Sequence, residues 1–189
     1  KLNVEVNQRL RTAFQSIGPD LQQLGEGVSN KEFPAVTLST SSGTSEITIR
    51  RGGLSALTLC GNIAAASTDA VTVLDKDIIA SPACISANDI NGDGWPDAVK
   101  DWANLRNGNT VRAYILDTAT NQGEFFEYNG EETLDSGGVA MTPASGTEPH
   151  VVKLTTNNHT WANSYSAATS AIYLFNESTY KVTDNNLQL

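Results

Sequence analysis

The sequence is poor in basic residues, in histidine and cysteine, and in long apolar runs. Lys and Arg number 12 against 21 for Asp and Glu in 189 residues, so the net charge is −9 at pH 7. A surface of this sign repels nucleic acid and anionic lipid headgroups, and we expect no nucleic acid among the partners. No stretch is long and apolar enough to span a bilayer.

Motifs for the common enzyme chemistries are also missing. The sequence contains no P-loop, no dinucleotide fingerprint and no HExxH. "DSGG" at residues 135–138 is similar to the nucleophile segment of trypsin-like proteases, but those enzymes carry their histidine far upstream of the serine. The two histidines here, His150 and His159, lie downstream and lack metal-ligand spacing. We therefore expect a protein that is not an enzyme.

Cysteine is limited to Cys60 and Cys84. The pair is either one disulfide or two unrelated thiols. Many Asn, Thr and Ser residues with few Lys suggest an exported protein, in which a disulfide survives, so we predict that the two residues are bridged. In the chain-entropy model such a bridge adds roughly 3 kcal/mol to the free energy of unfolding.

An amphipathic segment over residues 1–28 opens the chain. Its apolar residues are spaced by three or four positions, which places them on one stripe of a helix. They are Leu2, Val6, Leu10, Phe14, Ile17, Leu21 and Leu24. Gly18-Pro19 predicts a kink or a break, since proline removes a helical hydrogen bond, and Gly25 and Gly27 predict the helix end.

The rest of the chain, residues 29–189, alternates between apolar and polar residues as half-buried strands do. "SEITIRRG", "SALTLCG", "AVTVLDKD" and "HVVKLTT" follow this pattern, and "TVRAYILDT" with "GEFFEYNG" predicts a hairpin. The predicted fold class is α+β, with a long N-terminal amphipathic helix packed on an antiparallel β-sheet that carries loop insertions. We predict a division into a helix, residues 1–28, and a β-rich domain, residues 29–189.

"DINGDGWPD", residues 89–97, places oxygen-bearing groups at alternate positions of a short loop. The candidate ligands are Asp89, Asn91, Asp93, the carbonyl of Trp95, and Asp97. Gly94 follows the fifth position, where a calcium loop turns sharply, and hard oxygen ligands favour Ca²⁺ over a transition metal. The twelfth position is Lys100 rather than the glutamate of an EF-hand.

The loop also admits a plainer interpretation. Asn-Gly and Asp-Gly are good turn formers, so the segment is either a calcium loop or a polar turn without an ion. Three carboxylates within nine residues repel one another unless a cation neutralises them, and the spacing resembles the loops of integrin-type extracellular repeats. We therefore predict a structural Ca²⁺ site with no catalytic role.

Both ends of the chain resemble the PilW-like minor type IV pilins and the related J-type minor pseudopilins. The opening "VEVNQRLRTAFQSIGPDLQQLGEG" is similar to the periplasmic half of their N-terminal helix. The positions that fit are Asn7, Arg9, Leu10, Ala13, Asp20, Leu21 and Gly25. "SEITIRRG" looks like the first strand after that helix, and "AIYLFNESTYKVTDNNLQL" looks like the closing hairpin. Pro19 departs from the family pattern.

The resemblance implies a pilin-like fold and a non-enzymatic role in priming pilus assembly, with a position at the pilus tip. It implies contacts with other minor and major pilin subunits through Leu2, Val6 and Leu10, attachment to the inner membrane through an N-terminal helix that the sequence lacks, and a location in the periplasm and the extracellular pilus. Two alternatives stay open. One is a minor pseudopilin of type II secretion. The other is a calcium-dependent adhesion or carbohydrate-binding module, which requires Trp95, Trp102 and Trp161 to be exposed as stacking platforms.

Overall fold

The computed structural model describes residues 36–41, 44–52, 54–78, 84, 88–183 and 186–188, together with Arg11, Thr12, Gln15, Gly18 and Pro19. Its elements in chain order are β1 (Val36–Ser41), β2 (Thr44–Gly52), β3 (Leu57–Thr58), β4 (Val71–Asp75), α1 (Asp97–Arg106), β5 (Val111–Asp117), β6 (Gln122–Leu134), β7 (Val151–Thr156), β8 (Ser170–Thr183) and β9 (Asn186–Gln188). Val, Ile, Thr, Tyr and Phe are frequent in the strands, because branched and aromatic side chains pack well on a pleated surface.

The predicted α+β fold class is wrong. The structure is mostly β, with 44% of the residues in strands, and the described residues include the short helix α1 but no long N-terminal helix packed on a sheet. Within residues 1–28 only the five residues named above are described, all of them in helical conformation. The prediction failed because it treated the amphipathic segment of residues 1–28 as one of two layers of the fold. The strand-forming segments that follow build most of the described structure.

Several of the predicted positions lie outside the described residues. They are the proposed contact residues Leu2, Val6 and Leu10, and the predicted boundary at residue 28. Of the segments interpreted as strands, "SEITIRRG" falls in β2, "AVTVLDKD" overlaps β4 and "HVVKLTT" overlaps β7. Residues 97–106, within "PDAVKDWANLR", form α1.

The chain divides into two compact units. The terminal unit comprises Lys1–Gly53 and Phe175–Leu189, and the central unit comprises Leu54–Leu174. In the terminal unit β1 pairs with β2, β2 pairs with β8 from Ser45↔Val182 to Gly52↔Phe175, and β9 folds back on β8, with every pair antiparallel. Both ends of the sequence therefore contribute strands to one unit.

The central unit is built around antiparallel strands in the order β3-β8-β5-β6-β7-β4. The β5–β6 hairpin that the sequence predicted is present, with Val111 opposite Tyr128 and Asp117 opposite Gln122. One face of the strands buries an apolar core. Its largest fully buried side chains include Trp102, Trp161, Tyr128, Tyr165, Leu59, Leu74, Ile115, Leu154 and Ile172. Burial of this apolar surface is the main source of stability.

The helix α1 begins directly after the aspartate-rich loop and packs on this core through Val99 and Trp102. Asp97 lies in its first turn and Arg106 in its last, where each charge is favourable to the helix dipole. Asn107 ends the helix in a left-handed conformation and donates its N–H to the carbonyl of Ala103. The helix thereby fixes the end of the loop to the core.

Cys60 and Cys84 form a disulfide, with 5.4 Å between their Cα atoms. Both residues are buried, and the N–H of Cys60 donates to the carbonyl of Thr72 at 2.7 Å. The bridge ties the chain that follows β3 to a position 24 residues later. The disulfide interpretation of the cysteine pair is therefore confirmed, and the free-thiol alternative is excluded.

Candidate metal centre

Asp89 organises the aspartate-rich loop of residues 89–97 through its side chain. Its Oδ1 accepts hydrogen bonds from the N–H groups of Gly92 at 2.7 Å and Asp93 at 3.1 Å, and its Oδ2 accepts one from Gly94 at 2.6 Å. Three backbone donors therefore converge on one carboxylate. The glycines permit this curvature, since Gly92 and Gly94 have φ angles of 73° and 89°, in the left-handed region that other residues avoid.

Asp97 closes the same loop from the start of α1. Its Oδ2 accepts from the N–H of Ile90 at 3.0 Å and its Oδ1 accepts from Asn91 Nδ2 at 3.1 Å, while its own N–H donates to the carbonyl of Asn88. Asn91 thus contacts Asp97 directly, and Asp89 and Asn91 both accept a hydrogen bond from the N–H of Asp93. These hydrogen bonds close the loop. Its side-chain oxygens come from carboxylates and one amide, which are the hard ligands that Ca²⁺ prefers.

Asp93 differs from the other two aspartates. Its Oδ1 accepts from the N–H of Trp95 at 2.9 Å, and its Oδ2 lies 3.9 Å from Lys100 Nζ. The Lys100 ammonium also lies 5.3 Å from the centre of the Trp95 ring. The lysine that excluded an EF-hand therefore supplies a partial counter-charge to the loop. At this distance and with both groups about two-fifths exposed, the pair is a weak one.

The loop is locked against a second loop of the central unit through Gly94. A Cβ atom at this position would lie 2.1 Å from the carbonyl oxygen of Ala144. The two backbones are therefore in direct contact. Ala144 is itself fixed by mutual hydrogen bonds with Thr147, of 3.2 and 2.7 Å. Folding of the loop is consequently coupled to the segment between β6 and β7.

The tryptophans do not form the exposed platform that a carbohydrate-binding module requires. Trp102 and Trp161 are 0% and 1% exposed, and their indole N–H groups donate to the carbonyls of Ser55 and Asp69. Trp95 is partly buried against the core. Two of the three tryptophans that this alternative requires as exposed stacking residues are therefore buried.

Asp117 is the most buried acidic residue in the described part of the chain, at 2% exposed. Burial alone would raise its pKa, but hydrogen bonds from one hydroxyl and three backbone N–H groups outweigh this effect and lower it. The donors are Thr169 Oγ1 and the N–H groups of Ser166, Thr120 and Ala119. The carboxylate stays ionised and pins two turns together, so it is a structural group and not a proton donor.

Glu124 has the same character. Burial acts to raise its pKa, and the hydrogen bonds it accepts lower it below the ordinary value. The donors include the N–H groups of Ala162 and Asn163 and the hydroxyl of Tyr165, at 2.8 Å. Burial and this carboxylate together raise the pKa of Tyr165. Glu124 fixes the segment after β7, and neither group is poised for acid–base catalysis at neutral pH.

A second group of potential ligands lies away from the predicted loop. Among the described residues, the single set of three acidic, histidine or cysteine side chains whose ligand atoms all lie within 4.8 Å of one another is Asp75, Asp77 and His150. Sequence reasoning set His150 aside because no partner lies at metal-ligand spacing. The sequence gives little indication of this group, since the histidine approaches the two aspartates only through the pairing of β4 with β7.

No family model, no curated protein and no solved structure matches the chain. In the part of the chain that the structure describes, no helix has the length and apolar character needed to cross a membrane.

Proposed function

We propose that this protein is a non-enzymatic, exported minor pilin that takes part in priming the assembly of a type IV pilus, with a structural calcium loop. Its partners are other minor and major pilin subunits, contacted through Leu2, Val6 and Leu10. The disulfide supports export, since such bonds persist outside the cytosol. The carboxylates of Asp117 and Glu124 both accept several structural hydrogen bonds, which supports a role without catalysis.

One observation carries the proposal. The segments "SEITIRRG" and "AIYLFNESTYKVTDNNLQL", which resemble the first strand and the closing hairpin of minor pilins, are more than 110 residues apart in the sequence and yet pair with each other as β2 and β8. Both fall largely in the terminal unit. These two segments therefore belong to one structural unit, while the unmatched middle builds the central unit.

Gene deletion in the source bacterium tests the pilin proposal. We expect loss of surface pili, counted by electron microscopy, with normal release of type II exoproteins. Rescue should succeed with the native gene and fail when Leu10 is replaced by Asp. The control is Gln15→Asp, at an exposed position, and should rescue. Normal piliation with lost exoprotein release would favour the pseudopilin, and normal results in both assays would contradict the proposal.

The aspartate-rich loop would hold Ca²⁺ through the side chains of Asp89, Asn91, Asp93 and Asp97 and the carbonyl of Trp95. This donor set consists of oxygens alone, which fits a hard cation. The ion would neutralise three neighbouring carboxylates and thereby stiffen the surface that the loop shares with the Ala144 segment. In this proposal calcium has no chemical role beyond stabilising the fold.

Calorimetry on the chelator-stripped protein tests the calcium site. We expect one Ca²⁺ to bind with a Kd of about 10⁻⁴ to 10⁻³ M, typical of extracellular modules, and to raise the melting temperature. Asp93→Ala and Asp97→Ala should abolish both effects. Asp101→Ala, which removes an exposed carboxylate from the adjoining helix, is the matched control and should leave both effects intact. Absence of heat and of a melting shift at millimolar calcium would reduce the loop to a polar turn.

A further inference from the structure

The end of β4 and the beginning of β7 bring an imidazole beside two carboxylates. Strand pairing places Asp75 opposite Val151, and the N–H of Lys76 extends the ladder by donating to the carbonyl of His150 at 3.0 Å. His150 is held on its other side by its N–H, which donates to the carbonyl of Leu134 at 2.8 Å. The backbone that carries the imidazole is therefore fixed by two hydrogen bonds before any ligand binds.

A turn at the end of β4 carries Asp77 back toward Asp75. The N–H of Asp77 donates to Asp75 Oδ1 at 3.0 Å, and the N–H of Ile78 donates to the Asp75 carbonyl. Asp77 Oδ1 then lies 2.9 Å from His150 Nε2. The ligand atoms of Asp75, Asp77 and His150 all lie within 4.8 Å of one another. Side chains at the end of β4, in the turn after it and just before β7 thus approach one small volume near the surface.

The neighbouring cation does not occupy this volume. Lys76 lies between the two aspartates in sequence, but its Nζ pairs with Glu148 Oε2 at 3.0 Å. The side chains of His150 and Asp77 are 23% and 80% exposed, so an ion can reach them from solvent. The site therefore has a net negative charge that attracts a cation, from the carboxylates of Asp75, Asp77 and Glu148 against the single ammonium of Lys76.

From this geometry we propose that Asp75, Asp77 and His150 form a binding site for a divalent first-row transition ion, of which Zn²⁺ is the most suitable probe. Zinc binds imidazole nitrogen and carboxylate oxygen at about 2.0–2.2 Å, so in tetrahedral geometry adjacent ligand atoms lie about 3.3–3.6 Å apart. His150 Nε2 and Asp77 Oδ1, now 2.9 Å apart, need to separate by only a few tenths of an ångström to reach this spacing. The imidazole distinguishes this site from the all-oxygen loop of residues 89–97, because a nitrogen ligand favours transition ions over Ca²⁺.

Three protein ligands leave at least one coordination position for water or for a group from another molecule. The ion also joins the end of β4 to the beginning of β7, and it thereby stabilises the folded state by binding it in preference to the unfolded one. The site stands independently of the pilin and calcium proposals, since none of its three residues belongs to the segments on which those depend.

Calorimetry with Zn²⁺ on the full, untagged chain tests the site. We expect one Zn²⁺ to bind, with affinity reduced at least tenfold in His150→Ala and in Asp77→Asn. His159→Ala is the matched control, since it removes the other histidine, which contacts Glu124 rather than this group, and it should bind as the native protein does. Far-UV circular dichroism establishes that each variant is folded.

Competition separates this site from the calcium loop. Asp93→Ala should retain Zn²⁺ binding, and millimolar Ca²⁺ should not displace the zinc. Co²⁺, as a spectroscopic substitute, should show a visible absorption band that disappears in His150→Ala. Absence of Zn²⁺ binding to the native chain, unchanged binding in His150→Ala, or loss of binding in Asp93→Ala while His150→Ala retains it would each overturn the proposal.

Discussion

Replacing Gly94 by Ala should destabilise the protein by more than about 4 kcal/mol, an exceptional cost for a single methyl group. The added Cβ would lie 2.1 Å from the Ala144 carbonyl oxygen and 2.6 Å from its carbon and nitrogen. That carbonyl accepts a hydrogen bond from Thr147, so it cannot swing away without losing it. The φ angle of 89° adds strain for any residue with a side chain. Equilibrium unfolding in urea measures the loss.

Gly92→Ala provides the matched control two residues away. Gly92 has a similar φ of 73°, but no atom lies within 4 Å of the position that its Cβ would take. Only the left-handed conformation is then penalised, at about 1–2 kcal/mol. Equal losses in the two variants would show that the loop does not pack against Ala144. A much larger loss in Gly94→Ala establishes the contact, and calcium binding should weaken with it because the loop can no longer close.

Local alternation predicted the strands of the central unit because each of them has one buried face. In β7, for example, Val152 and Leu154 are fully buried while their neighbours are partly exposed, which is the pattern that sequence reveals. The order of the strands was not predictable, since pairing joins segments as distant as β3 and β8 and depends on which edges meet. Sequence patterns describe a strand's faces and carry little information about its edges.

The fold class failed for a related reason. Apolar residues at spacings of three and four indicate a helix locally, but they do not state how much of the structure the helix provides. The strand segments are individually short and separated by loops, so the prediction underestimated the fraction of the chain that lies in strands. Helix α1 lies in a segment with only two buried residues, Val99 and Trp102, which is too few to give a clear periodic pattern.

The candidate sites show the same limit. The residues of the loop at 89–97 are neighbours in sequence, so its candidate ligands formed a recognisable motif, and the contacts of Asp89 and Asp97 with the loop backbone follow from the same spacing. His150 and Asp77 are 73 positions apart and meet only because β4 and β7 pair. No spacing rule identifies such a group, and only the strand register brings it together.

Replacing Glu131 by Gln should lower the free energy of unfolding by about 3–5 kcal/mol, because it leaves the largely shielded side chain of Arg106 without its counter-charge. Arg106 at the end of α1 donates from Nε and from one terminal nitrogen to the two Glu131 oxygens, at 3.2 and 2.8 Å. The hydroxyl of Tyr128 donates to the same carboxylate. The side chains of Arg106 and Glu131 are only 13% and 7% exposed, so water cannot replace the lost partner. Thermal and urea unfolding measure the effect.

Glu132→Gln is the control at the next position. Glu132 pairs with Lys153 at 3.8 Å with its side chain 46% exposed, and such surface pairs contribute about 1 kcal/mol or less. A triple variant, Arg106→Met with Glu131→Leu and Tyr128→Phe, removes both charges together with the hydroxyl that would otherwise lose its acceptor. It should recover much of the stability lost in Glu131→Gln, because well-packed apolar side chains replace a largely buried ion pair at little cost. A triple variant as unstable as Glu131→Gln would mean that the loss arises from packing at this position rather than from the unpaired charge.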